Sequence, residues 1–270
     1  MMTEIIHKEL SYAVRGVLFD VHNQLGPLLP EKFYQEAVAI GLEAKGIACE
    51  TEKPFAMHYC GVEVGRYFVD VWVEAGKLLL ELKVAPEILP IHRAQAISYL
   101  KVTDADLAVV VNFGEAGLID ERLPNYVRNK PFSFSWHPQS VWLDIPDKEL
   151  SNVLLKALHR VHFYLGPGFF HQVYRRATMV ELREQEIGFT YVKEIPIYYR
   201  DVFLGNQPVR LISLDGEILL ATIAVKELDD NIKSQMRARL RQLDKKVGLI
   251  ANFHGRDLEV VLVRGGYNES

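Results

Sequence analysis

The chain predicts an α/β protein built as two tandem copies of one domain, each a mixed sheet flanked by helices. Three observations predict it. The first is a repeat: Val21-His22-Asn23-Gln24-Leu25-Gly26-Pro27 returns as Val161-His162-Phe163-Tyr164-Leu165-Gly166-Pro167, an offset of 140 residues. The same offset carries Tyr34 onto Tyr174, Gly65 onto Gly205, Gln95 onto Gln235, Leu100 onto Leu240, and Asn112-Phe113 onto Asn252-Phe253. The match is weakest near residues 42–64. The second is that helix-period and strand-like segments alternate in the same order in both halves. The third is length, since 270 residues hold two domains of ordinary size.

The elements of the first copy follow in order. Glu4 to Gln24 has Leu10, Val14, Val17, Leu18 and Val21 at helical spacing, and Gly26-Pro27 stops it. Glu31 to Lys45 predicts a second helix, ended by Gly46. Pro54 to Tyr59 reads as extended, Cys60-Gly61 as a turn, and Tyr67 to Glu74 as a strand rich in Val, Phe and Trp. Ala75-Gly76 makes a tight turn into the strand Lys77 to Val84. Pro90 to Lys101 is helical, and Leu107 to Phe113 is an apolar strand of the kind buried on both faces. The order is α-α-β-β-β-α-β, and the second copy repeats it. The expected boundaries are a first domain over 1–115, a connector over 116–147 and a second domain over 148–270. The connector holds Pro124, Pro131, Pro138 and Pro146. Its Phe132, Phe134, Trp136 and Trp142 predict docking on a domain rather than a loose linker.

Composition narrows the function classes. Hydrophobic residues make up 49% and charged residues 24%, a globular mix. Cys49 and Cys60 lack partners at zinc-ligand spacing, so neither a disulfide framework nor a zinc site is expected. The N-terminus has no apolar signal region, and runs such as Leu107 to Val111 are too short to span a bilayer. The expectation is a cytoplasmic protein with no membrane partner. A net charge of −4 weighs mildly against a life on nucleic acid, although an acidic metal site contributes to that sum.

Three polar residues interrupt apolar strands. Asp70 lies in YFVDVWV, and Glu81 and Lys83 lie in LLLELKV. The Ala75-Gly76 turn sets Asp70 near Glu81 across the hairpin. Glu81 and Lys83 share one strand face. Buried carboxylates need a partner or a metal, and hard oxygen donors suit Mg²⁺ or Mn²⁺. A lysine there acts on the attacking water or steadies charge on a phosphate. The competing reading is an ordinary structural salt bridge, and the two weigh about evenly. Glu31 opens the second helix, where a carboxylate is also simply favourable by ~0.3–1 kcal/mol. Gln95 and Tyr99 share a face of the following helix, or are a solvated glutamine and a packing tyrosine.

At this point the residues resemble the PD-(D/E)XK nucleases: an Asp, an E-x-K strand after ten intervening residues, then a helical Q-x-x-x-Y-L. Both copies are similar, more narrowly, to the bacterial GxxExxY family. The matching residues are Val21-His22, Leu25-Gly26-Pro27, Glu31, Tyr34, Val69-Asp70, Glu81-Leu82-Lys83, Gln95, Ser98 to Lys101, and Asn112-Phe113-Gly114. The likeness is strong over residues 10–115 and weaker over 150–255. Leu28 stands where the motif has glycine, and Val69 where it has leucine. The resemblance implies a restriction-endonuclease-like fold and a Mg²⁺- or Mn²⁺-dependent nuclease. Glu31, Asp70 and Glu81 would hold the ion, Lys83 would act at the water or phosphate, and Gln95 would orient the site with Tyr99. His22 stands near that site or is a satisfied core histidine, and the second is favoured.

In the second copy His171 replaces Glu31, Arg210 stands at the offset of Asp70, and Ala221 and Ile223 replace Glu81 and Lys83. Gln235 remains and Arg239 replaces Tyr99. The expectation is a catalytically dead copy. Its helix with Arg237, Arg239 and Arg241, followed by Lys245 and Lys246, is a solvated charged face or a phosphate-backbone surface guiding nucleic acid. Two function classes stay open: a nuclease, with DNA favoured by analogy alone, and an inactive module binding nucleic acid or protein. A monomer with an internal pseudo-dimer and a homodimer are both compatible with the duplication.

Overall fold

A computed structural model describes residues 6–126, 128, 133–137, 147–214 and 217–265. The chain divides into two compact units, Met1–Met57 with Arg66–Phe132, and His58–Gly65 with Ser133–Ser270.

The first unit opens with α1 (Lys8–Leu25), which buries Val14, Val17, Leu18 and Val21 along one stripe. Glu4, where the sequence predicted it to start, lies outside the described residues. Gly26, at φ 69°, closes α1 by returning its amide to the His22 carbonyl. α2 (Glu31–Ala44) buries Tyr34, Val38 and Leu42, one residue per turn. Five strands follow: β1 (Cys49–Tyr59), β2 (Val62–Val73), β3 (Leu78–Lys83), β4 (Leu107–Asn112) and β5 (Ile119–Pro124), with α3 (Pro90–Thr103) between β3 and β4. They form one sheet in the order β1-β2-β3-β4-β5. β2 and β3 are antiparallel, β3 and β4 parallel, and β4 and β5 antiparallel. A parallel neighbour needs a crossover, and α3 supplies it.

Alternation along β3 divides labour. Leu78, Leu80 and Leu82 join the core under α1 and α2, with Val14, Leu18, Tyr34 and Val38. Each such leucine contributes roughly 1.5–3 kcal/mol by burial. Glu81 and Lys83 point to the opposite face. β4 is buried at all six positions, as its apolar run predicted.

β5 falls in the stretch expected to be connector. It is an edge strand whose Asp120, Glu121 and Arg122 carry no apolar alternation, so its sequence reads as loop. Charge on an edge strand blocks further pairing. Its carboxylates are used: Arg15 Nε donates to Asp120 at 2.8 Å, and Arg93 grips Glu121 with two bonds of 2.5 Å. Further on, Phe134 packs on Phe163 at 5.6 Å between ring centres, and Trp136 Nε1 donates to Asn152 at 2.9 Å. Pro131, Phe132, Pro138, Trp142 and Pro146 lie outside the described residues.

The second unit repeats the order with α4 (Lys148–Leu165), α5 (His171–Glu184), β6 (Phe189–Tyr199), β7 (Val202–Leu214), β8 (Ile218–Ile223), α6 (Asp230–Gln242), β9 (Val247–Asn252) and β10 (Glu259–Arg264). Its sheet runs β10-β9-β8-β7-β6. One register differs. Val73 pairs with Leu78 in the first unit, but Leu214 pairs with Ile218 in the second. β7 therefore runs one residue out of step with the constant offset. The extra residue sits in a bulge, where Val209 and Arg210 stand against Lys193 alone and Arg210 takes φ 54°. Continuing each ladder by one rung sets Asp70 opposite Glu81, and Leu211, not Arg210, opposite Ala221. The expected equivalence of Arg210 with Asp70 is thus shifted by one position.

Candidate functional site

The site lies where β2 and β3 part. Their ladder covers only Val71–Val73, and beyond it the Asp70 carboxylate takes over, accepting the Leu82 amide at 2.8 Å. Glu31 reaches over from the first residue of α2 and accepts the Val84 amide at 3.3 Å. Two carboxylates on separate elements thus bond alternate amides at the C-terminal end of β3. Between them opens a cavity of about 370 Å³, lined by Glu31, Lys32, Gln35, Glu52, Asp70 and Leu82.

On the other face of β3, Glu81 is 3% exposed and bonded on both oxygens. Lys83 Nζ donates to Oε1 at 2.6 Å, and the Tyr67 hydroxyl donates to Oε2 at 3.1 Å. Tyr67 stacks on Tyr99 of α3, with ring centres 3.8 Å apart. Gln95, one turn earlier on α3, has a buried Oε1 with no hydrogen-bond partner among the described residues. His22 is elsewhere: its Nε2 meets the Glu115 carbonyl at 3.0 Å, as a satisfied core histidine does.

The electrostatics tie the set together. Burial, then the neighbouring Glu81, pushes the Asp70 carboxyl up to about 8. Glu31 adds to that rise, while the Leu82 amide and Lys83 oppose it. Burial also raises Glu81, against the pull of Lys83 and Tyr67. Burial alone would lower Lys83, but Glu81, Glu31 and Asp70 outweigh it and hold the ammonium above its ordinary range. Three carboxylates thus share one ammonium, an arrangement short of positive charge. That donor set fits a hard divalent cation. The side chains are not gathered around one point: among the described residues no three His, Cys, Asp or Glu groups converge as metal ligands. Glu81 is turned to Lys83.

Two participants were not legible in the sequence. Tyr67 was an aromatic strand residue like its neighbours. Gln35 donates its Nε2 to the Asp70 carbonyl at 2.8 Å and to Glu52 at 2.9 Å. The available signal for Gln35 was its place one turn after Glu31 on the same helix face.

The motif tyrosine has a structural task. Tyr34 is fully buried, donates to the Gly26 carbonyl at 2.6 Å and accepts the Leu29 amide at 3.1 Å. It closes the turn between α1 and α2 that delivers Glu31. Tyr174 does the same with Gly166 and Phe169, at 2.8 and 3.2 Å. Leu28, in the motif-glycine position, holds φ 71°, a left-handed conformation that favours glycine; Gly168 holds φ 108°. Asn112 clamps the loop after β3 by bonding both the amide and the carbonyl of Ala85, at 3.0 and 2.8 Å.

The basic run of the second unit does not form one surface. Arg237 and Arg241 are exposed one turn apart on α6, whereas Arg239, about 200° round from Arg237 at 100° per residue, lines a pocket. Lys246 pairs with Glu217 at 3.3 Å, and the Lys245 amide closes back on the Leu240 carbonyl.

A five-stranded mixed sheet with an Asp and an E-x-K on adjoining strands defines a nuclease-like domain, and the second unit has that sheet without those residues. The family model of the PD-(D/E)XK nuclease superfamily matches residues 8–122 and again 148–263. The chain belongs to that superfamily, as a tandem duplication. Nucleases of this family are typically Mg²⁺- or Mn²⁺-dependent. Among solved structures, one titled "Crystal structure of SSO0001" is 14% identical over 43% of this chain and 77% of its own, with a TM-score of 0.25. No curated protein matches the chain. Among the described residues no helix is long and apolar enough to cross a membrane.

Proposed function

We propose that this protein is a divalent-metal-dependent nuclease that hydrolyses phosphodiesters through its first unit, and that its second unit is catalytically dead. DNA is the substrate that the family analogy favours. The observation that carries the reading is the acid-rich set of Glu31, Asp70 and Glu81 with Lys83, in a PD-(D/E)XK fold. Glu31, Asp70 and Glu81 would hold Mg²⁺ or Mn²⁺. When bound, the ion supplies charge to the phosphate and eases deprotonation of the attacking water. Lys83 acts on the phosphate or that water. Tyr67, backed by Tyr99, holds Glu81 in place, and Gln95, one turn earlier on α3, keeps a buried acceptor without a partner among the described residues. In the second unit, Ala221 and Ile223 at the positions of Glu81 and Lys83 offer an ion nothing.

A second reading is an inactive module that binds nucleic acid or protein. The closed Glu81–Lys83 pair favours it, because metal binding requires that pair to open. Incubation of single- and double-stranded DNA, and of RNA, with Mn²⁺ separates the two. Wild type is expected to cut at least one substrate, and Lys83→Ala is expected to cut none. Calorimetry is expected to show Mn²⁺ binding that Asp70→Asn abolishes. Metal binding without cleavage would favour the second reading, and neither would overturn the nuclease.

A further inference from the structure

The second unit has a pocket at the same place in the fold, with its charge reversed. A cavity of about 230 Å³ is lined by His171, Arg175, Arg210, Thr222 and Arg239, with Ala221 and Ile223 in its wall. The positions correspond to the first site. At the constant offset, His171 matches Glu31, Arg175 matches Gln35, Thr222 matches Leu82 and Arg239 matches Tyr99. Arg210 stands at the offset of Asp70, but the bulge in β7 sets it one position out of register and re-aims it, as bulges do. Glu31, Gln35, Asp70 and Tyr99 of the first unit thus give way to His171, Arg175, Arg210 and Arg239 at the same offset.

Among the described residues no carboxylate lies within 4.0 Å of Arg175, Arg210 or Arg239. Arg175 is only 7% exposed, and its guanidinium rests over the Tyr191 ring at 5.7 Å. Burial, with the neighbouring Arg210 and Arg176, disfavours its charge and outweighs the support of the Tyr191 hydroxyl, and burial alone disfavours the charge of Arg239. Thr222 is 5% exposed, lines the cavity, and its Oγ1 has no hydrogen-bond partner among the described residues. A buried guanidinium and an orphaned hydroxyl are each costly to leave short of acceptors, and the half-buried Arg239 and exposed Arg210 add charge beside them. One ligand satisfies all of them: a small anion with several acceptor oxygens, for which arginine forks are the matched donors.

We propose that the former metal site of the second unit is a phosphate-binding pocket, in which Arg175, Arg210, Arg239 and Thr222 hold a phosphate group without metal. It goes beyond the reading of the second unit as catalytically dead. It rests on this pocket alone and does not require the first unit to be active. The phosphate comes from a strand terminus or from a free phosphate or nucleotide, which share this chemistry.

The full chain in chelator, where no metal-dependent cleavage occurs, tests it. Calorimetry with inorganic phosphate and with a nucleoside monophosphate is paired with anisotropy of labelled oligonucleotides, 5′-phosphorylated or 5′-hydroxyl. Saturable phosphate binding is expected, weakened ~10-fold or more by Arg210→Ala and ~2–10-fold by the near-isosteric Thr222→Val. Arg210 is exposed, so its loss leaves the core intact. Preference for the 5′-phosphorylated strand over free phosphate identifies a strand end as the ligand. Equal binding identifies the free anion. Phosphate binding is read in chelator and cleavage only with Mn²⁺, so this proposal and the nuclease reading fail separately. No saturable phosphate binding by wild type, or binding indifferent to both substitutions, overturns it.

Discussion

Asp70→Asn is expected to stabilise the metal-free protein at alkaline pH while removing its metal response. Folding lifts the Asp70 carboxyl from 3.8 to about 8. Between those values the folded chain keeps a proton that the unfolded chain releases. Stability therefore falls as pH rises from about 4 to 8, and the whole penalty is present above 8. At ~1.36 kcal/mol for each tenfold change in proton affinity, that rise sets a ceiling of ~6 kcal/mol. Local relaxation and water entry absorb much of it, so a neutral isostere recovers ~1–4 kcal/mol. Asparagine keeps an oxygen for the Leu82 amide, so that bond survives. Urea unfolding of both proteins in chelator at pH 5, 7 and 9 measures the gap, expected to grow with pH. Mn²⁺ at 100 times Kd is then expected to shift the order toward wild type by ~2.7 kcal/mol, because it stabilises wild type alone, and to reverse it wherever the gap is smaller than that. A substituted protein no more stable than wild type at pH 9, or a gap that ignores pH, would refute the reasoning.

Three further substitutions probe the frame that holds the site. Leu28→Gly relieves a left-handed side-chain residue that is 73% exposed and is expected to add ~1 kcal/mol in chemical denaturation. Tyr34→Phe removes both bonds that close the Gly26–Leu29 turn; a loss of ~1–3 kcal/mol is expected, with a smaller loss of Mn²⁺ affinity through the displaced Glu31. Gly114→Ala drives a methyl into the Ala85 backbone, and a Tm drop equivalent to ~1–3 kcal/mol is expected in a calorimetric scan.

The duplication, the helix stripes and the interior strands were legible because each is written locally, in spacing and apolar content. Asp70, Glu81 and Lys83 stood out because charge inside an apolar strand is conspicuous. Tyr67 and Gln35 did not, since their partners Glu81 and Asp70 are distant in sequence and their residue types are common in strands and helices. β5 was lost to its own edge position: its charges belong to Arg15 and Arg93, which no local pattern shows. The bulge at Arg210 was invisible for another reason. An extra residue in β7, offset by a shorter connection to β8, leaves the 140-residue spacing intact on both sides.

The turn-closing hydroxyls of Tyr34 and Tyr174 bear on how such duplicated chains diverge. The segment around each carries two superposed messages, one for architecture and one for chemistry. The tyrosine belongs to the first and survives in both halves, while the position three residues before it belongs to the second and reads Glu31 in one half and His171 in the other. The messages are inherited independently. In a tandem chain of this kind the tyrosine therefore marks descent, and the residue one turn earlier marks occupation.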